Sequence, residues 1–161
     1  IRGGELLDQS LVARRVAKVP LITVASTAYV KYHGTPTHPL QLENEHHMVN
    51  HFSTRNGRPF PGEFSKDGET LEITARYKLS VNESNALTAA ALAGLGVTQI
   101  ATLTAMPLIA RGELVQVLSD WTGPTIPLYV VYPPNRHLSA KVRAFVEWVA
   151  ETFSKHPHLL N

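Results

Sequence analysis

Asn82-Glu-Ser-Asn-Ala-Leu-Thr-Ala-Ala-Ala-Leu-Ala-Gly94 reads as a helix with both ends marked. Asn82 is placed to cap its start, Glu83 suits the positive end of the helix dipole, and Gly94 stops it. Thr74 to Val81 before it and Val97 to Thr102 after it are β-branched and apolar enough to be strands. Strand, helix, strand is a βαβ unit, which predicts parallel strands and a right-handed crossover.

Working outward toward the C-terminus, Leu103 to Ala110 predicts a helical turn broken by Pro107. Gly112 allows a turn before a strand at Glu113–Leu118, and Leu128 to Tyr132 reads as a strand ended by Pro133-Pro134. Ser139 caps a last helix, Ala140 to Ser154, whose apolar stripe is Val142, Phe145, Val146, Val149 and Phe153. Toward the N-terminus, Glu63 to Ile73 carries the clearest hairpin signal, because Asp67-Gly68 supplies the two left-handed positions of a type I′ turn. His47 to Phe52 reads as a strand, and Ser53 to Gly62 as a loop. Leu11 to Val19 and Leu21 to Ala25 read as two strands, the second followed by a short helix capped by Ser26 and stopped at Gly34. Pro39 opens a helical turn at Leu40–Glu43. Strands alternating with helices make the fold class α/β.

Composition removes several functions. The net charge of +2 is a poor electrostatic footprint for nucleic acid. With 43% hydrophobic residues the chain has a core to bury, yet no run reaches the length of a membrane helix. The absence of cysteine excludes disulfides, thiolate catalysis and zinc–cysteine sites, and favours a reducing compartment. Ile1-Arg2-Gly3-Gly4 reads like the end of a strand, so the chain is expected to begin upstream of Ile1.

No motif concentrates catalytic chemistry. Gly94-Leu-Gly96 has the glycines of a dinucleotide loop, but a helix precedes them where a strand is required, so a helix stop with tight packing is the better reading. His46, His47 and His51 invite a metal. On a strand His47 and His51 would stand roughly 13 Å apart, too far for one ion, so surface or pocket-rim histidines are expected. Ser26, Ser53, Ser80 and Ser84 lack the glycine frame of a nucleophile elbow and read as caps and loop hydroxyls. Binding is then the chemistry to seek. In open α/β sheets it occurs outside the carboxyl ends of the strands: here Ala25-Ser26, Phe52-Ser53, Val81-Asn82 and Ala101-Thr102. Hydroxyls, an amide and helix N-termini there suit a small polar or anionic ligand.

Several stretches, by their order and spacing, resemble the effector-binding domain of LysR-type transcriptional regulators. They are Ile1-Arg2-Gly3 with Leu11 to Arg15, Ala25 to Tyr29, His38 to Leu42, Asn56 to Pro59, Asn85 to Val97, Asp120-Trp121, Pro127 to Tyr129, and Arg136 to Phe145. The resemblance implies a periplasmic-binding-protein-like type 2 fold, with two Rossmann-like lobes joined by two crossover strands. It places the crossovers at Leu21–Ala25 and Leu128–Val131. Lobe one is then residues 1–25 and 129–161, and incomplete; lobe two is 26–128. If lobe one lacks its beginning, Val142, Phe145 and Val149 should be left bare.

The same resemblance implies a small effector held by Arg2, Gly3, Ser26, Thr27, Ala101 and Thr102, to which the strand ends add Phe52 and Ser53. It also implies a dimer, or a tetramer, in which Asn85, Thr88, Ala89 and Leu92 form half of a helix–helix surface. Its function is effector sensing in a cytoplasmic bacterial transcription factor that meets DNA through a helix-turn-helix outside this chain. No enzymatic activity, cofactor or metal is implied. The rivals are a periplasmic solute-binding protein of the same fold and a small α/β enzyme.

Overall fold

A computed structural model of the chain describes residues 1–4, 10–134 and 139–160. Arg136, His137 and Leu138, part of one run that carries the resemblance, lie outside the described residues. Two compact units divide the chain: residues 1–20 with 125–161, and residues 21–124.

In the first unit, β1 (Arg2–Gly3) pairs antiparallel with β9 (Thr125–Tyr132). On its other side β9 pairs with the first half of β2 (Val12–Ser26), from Val12 opposite Tyr132 to Pro20 opposite Thr125, with a bulge between Arg15 and Ala17. The two strands expected at Leu11–Val19 and Leu21–Ala25 are therefore one strand. Pro20 does not break it, because proline is tolerated where the missing N–H opposes no ladder acceptor. Helix α5 (Ala140–Ser154) starts on Ser139, whose hydroxyl accepts from the Val142 N–H. Its stripe buries Val146 and Val149 against Val16 and Val130. Val149 is thus covered within the unit and Val142 half-covered; of the three residues expected to be bare, Phe145 alone is exposed, with Trp148 beside it.

The second unit is built on parallel strands. β3 (Met48–His51) pairs parallel with β6 (Tyr77–Val81), and Met48 also bridges Val97, just before β7 (Thr98–Ala101), in parallel sense. The predicted βαβ crossover is present, but β3 stands between its two strands. Helix α3 (Ser84–Leu92) makes that crossover. Its cap is Glu83, not Asn82: the Glu83 carboxylate accepts from the Asn85 and Ala86 N–H groups. β7 pairs antiparallel with the second half of β2, and β8 (Leu114–Gln116) takes the other edge of β2. Helix α4 (Thr102–Ala110) runs through Pro107 without breaking. The hairpin of β4 (Gly62–Lys66) and β5 (Glu69–Ile73) turns on Asp67 and Gly68, both at positive φ. One apolar cluster gathers Phe64, Met48, Leu42, Ile73 and Trp121. A second gathers Val24, Val49, Leu87, Ile100, Leu108 and Leu114.

The two glycines after α3 do different work. Gly94 has φ 75°, the left-handed stop of the helix. Gly96 lies against the β3 backbone: a Cβ there would stand 2.5 Å from the His47 carbonyl oxygen. That closeness lets the Val97 N–H donate to His47 O (2.8 Å) and the Val49 N–H donate to Val97 O (2.9 Å).

Helix α1 (Thr27–His33) is tied to β3 by Tyr29. The Tyr29 hydroxyl accepts from the His47 N–H (3.0 Å) and lies 3.2 Å from His46 Nδ1. Which of the two atoms donates in that contact depends on the histidine tautomer. His46 is buried, not on a surface or rim as its neighbours in sequence suggested, because Tyr29 offers it a partner inside. Burial pushes its basicity below the ordinary value, as do the nearby His33 and His47, while Glu45 opposes them. His47 is shifted the same way by burial, Lys78, His33 and Arg76.

Two outcomes follow from this packing. Gly96→Ala should cost about 3 kcal/mol in urea unfolding, because a methyl must displace backbone. Gly94→Ala should cost about 1–2 kcal/mol, the left-handed penalty alone. For His46 the folded protein binds fewer protons than the unfolded chain below the ordinary histidine pKa of about 6.5. Stability from its neutral state is therefore complete above that value and lost as pH falls through it. Thermal melts between pH 7 and 5 should show Tm falling, and His46→Gln, which keeps an acceptor for Tyr29, should flatten the slope.

Candidate functional site

The residues proposed at strand carboxyl ends do not share one edge. β2 runs antiparallel to β7, so Leu21 faces Ala101 and Val24 faces Thr98. Ser26, five residues past Leu21, lies at the far end of the ladder, beside Leu114 and close to Gly94. Its hydroxyl accepts from the Tyr29 N–H (3.1 Å), the ordinary work of an N-cap, and it is buried. Thr27 is exposed, and its hydroxyl donates to Gly112 O (2.6 Å). That end of the unit carries the C-termini of α3 and α4, where backbone carbonyls repel an anion.

The opposite end gathers the carboxyl ends of parallel β3, β6 and β7. Here stand Phe52-Ser53, Val81-Asn82 and Ala101-Thr102. The Phe52 N–H donates to Val81 O (2.8 Å), which holds the first two ends side by side. Ser53 closes the loop that follows: its N–H donates to Arg58 O, its carbonyl accepts from the Gly57 N–H, and its hydroxyl accepts from the Arg55 N–H. Helices α3 and α4 both begin at this end. Glu83 occupies the first N–H groups of α3, and those hydrogen bonds hold its carboxyl below the usual range. α4 differs. It starts on Ala101, and no side chain caps it. Its leading turn, where Thr102 is half-buried, is the anion-favouring pole of a helix dipole.

Arg2 and Gly3 lie in β1 of the other unit, opposite Tyr129 and Leu128, and both are exposed. Of the four residues assigned to a dimer surface, Asn85 and Ala89 lie on the exposed face of α3, one turn apart. Thr88 is buried and its hydroxyl donates to Ser84 O (2.9 Å); Leu92 is half-buried and packs against the second core cluster. Among the described residues no group of three or more His, Asp and Glu is placed to hold a metal ion, and no helix is long and apolar enough to cross a membrane. Sequence reasoning overlooked Glu83 as a cap, although a carboxylate one residue before a helix is a recognisable signal.

Known proteins place this architecture. The family profile described as LysR substrate binding domain matches residues 1–154. An HTH-type transcriptional repressor of Pseudomonas aeruginosa strain UCBPP-PA14 is 32% identical over 159 residues, which cover 99% of this chain and 50% of that protein. An uncharacterized HTH-type transcriptional regulator of Escherichia coli K12, YhjC, is 29% identical over 97% of this chain and 52% of its own length. The chain spans about half the length of the curated relatives it matches. The regulatory domain of AphB from Vibrio vulnificus superposes with TM-score 0.73 at 32% identity, over 94% of this chain and 73% of that one. Full-length AphB of Vibrio cholerae, a virulence activator, superposes with TM-score 0.75 at 30% identity, over 93% of this chain and 50% of that one. With its periplasmic-binding-protein-like type 2 fold, the chain belongs to the LysR substrate-binding domain family.

Proposed function

We propose that this chain is the effector-sensing part of a transcriptional regulator, and that its ligand is a small anion, a carboxylate foremost. The observation that carries the reading is the start of α4, whose N-cap Ala101 supplies no side-chain cap, at the edge where β3 and β6 end. A carboxylate there would accept from backbone N–H groups and the Thr102 hydroxyl, with Phe52 and Ser53 beside it. Arg2 and Gly3 of the first unit remain proposed effector residues, with lobes at 1–25 plus 129–161 and at 26–128. Ser26 and Thr27 lie at the other end of the β2–β7 ladder, so they are proposed to position α1 rather than to meet the same ligand.

The mechanism is a shift between arrangements of the whole regulator. An effector moves such an equilibrium only by its difference in affinity for the two states. DNA contact would come from a helix-turn-helix outside this chain, as the names of its relatives suggest. The solute-binding reading is less favoured, because the matched relatives are named as regulators. Self-association through α3 belongs to the same proposal, with exposed Asn85 and Ala89 at its centre and Thr88 and Leu92 setting the helix on its own core.

A thermal-shift screen of small metabolites should find a carboxylate that stabilises the protein, by about 2.7 kcal/mol at a hundredfold excess over its Kd. Thr102→Val should weaken it on the order of tenfold, the loss of one hydrogen bond to a charged group. A screen without any stabilising anion, or a Thr102→Val variant that binds as well, contradicts the reading. Ala89→Arg should dissociate the self-associated form in sedimentation velocity while leaving the melting temperature within about 0.5 kcal/mol of stability. An unchanged sedimentation coefficient contradicts the helix surface.

A further inference from the structure

A cavity opens in residues 21–124, and none of Phe52, Ser53, Ala101 or Thr102 lines it. Asn50, Pro59, Phe60, Pro61, Glu72, Thr74 and Tyr77 enclose a cavity of about 180 Å³. Asn50 is 7% exposed and lines the cavity, so it sets a polar amide on that space. The register pairs Asn50 with Ser80, whose buried hydroxyl has no hydrogen-bond partner among the described residues.

The cavity's walls show what would satisfy it. Phe60 and Tyr77 stay about half exposed, an unusual expense for two large rings. Phe60 is held in place by stacking on His51 and by its N–H donating to His51 O (2.9 Å). Glu72 stands directly opposite Glu63 across the β4–β5 hairpin, and neither pairs with a cation among the described residues. Like charges placed so repel. The basic residues of β6 do not relieve them: Lys78 alternates with Tyr77 along the strand and acts on His47, as does Arg76.

We infer that this cavity binds a small organic monocation, an ammonium carried on one ring-sized apolar body. The cationic head would meet Glu72 and the Asn50 amide oxygen, and the body would lie against Phe60, Tyr77 and the two prolines. Aromatic faces add cation–π attraction. A cavity of about 150 Å³ accommodates benzene, so the volume fits one ring.

Benzylamine is the probe, with benzyl alcohol and benzoate of matching shape beside it, in isothermal titrations at neutral pH. Saturable binding of benzylammonium, without binding of the neutral or anionic compound, supports the site. Glu72→Gln, at an exposed position that folding does not depend on, should weaken binding on the order of tenfold, the loss of a charge-assisted hydrogen bond. Phe60→Ala should weaken it too. Failure of benzylammonium to saturate overturns the inference, as does equal binding of benzoate or a Glu72→Gln variant that binds as tightly as the parent.

Discussion

The approach of Gly96 to the His47–Met48 backbone is the constraint on which residues 21–124 depend. Any side chain at Gly96 would collide with the His47 carbonyl. With no side chain, Val97 enters the ladder beside β3, and β3 is held between β6 and β7. That order brings three parallel strands to one edge and starts α3 and α4 there. The edge becomes polar because backbone N–H groups must point out of a helix start. The opposite end carries two helix C-termini, and the α1 start there already has Ser26 as its cap, so it offers an anion less.

The electrostatics sharpen the distinction. Both helices begin at the same edge, but Glu83 fills the start of α3 with a carboxylate that the chain itself provides. α4 has no such cap. A ligand carboxylate at α4 would do what Glu83 does at α3. That difference is what makes the α4 start the proposed place for the effector. Tyr29 and His46 contribute differently: they join α1 to the start of β3 through a buried pair, where burial disfavours the charged histidine.

Much of this was legible in the chain. The Asn82–Gly94 helix, the Asp67-Gly68 turn, the Ser139 cap and the α/β class all rest on local chemistry, which sequence displays directly. The resemblance to LysR-type effector domains matches the family to which the chain belongs. What could not be read was strand direction and order. β2 looks like two strands because Pro20 interrupts its pattern, and nothing local shows that it runs against β7. Ser26 and Ala101 therefore looked like neighbours, whereas the antiparallel register separates them. His46 and His47 are adjacent in sequence, yet only the fold of α1 onto β3 reveals that Tyr29 buries one of them. The cavity around Asn50 and Glu72 draws residues from four separate segments and leaves no periodic trace.

The most direct test is an amide-resolved NMR titration of the protein with the carboxylate that stabilises it best. The account predicts that shifts concentrate at Phe52, Ser53, Thr102 and Leu103, the last two fading fastest as their N–H groups take up the anion. Shifts concentrated instead at Ser26, Thr27 and Glu113, the other end of the ladder, would contradict it.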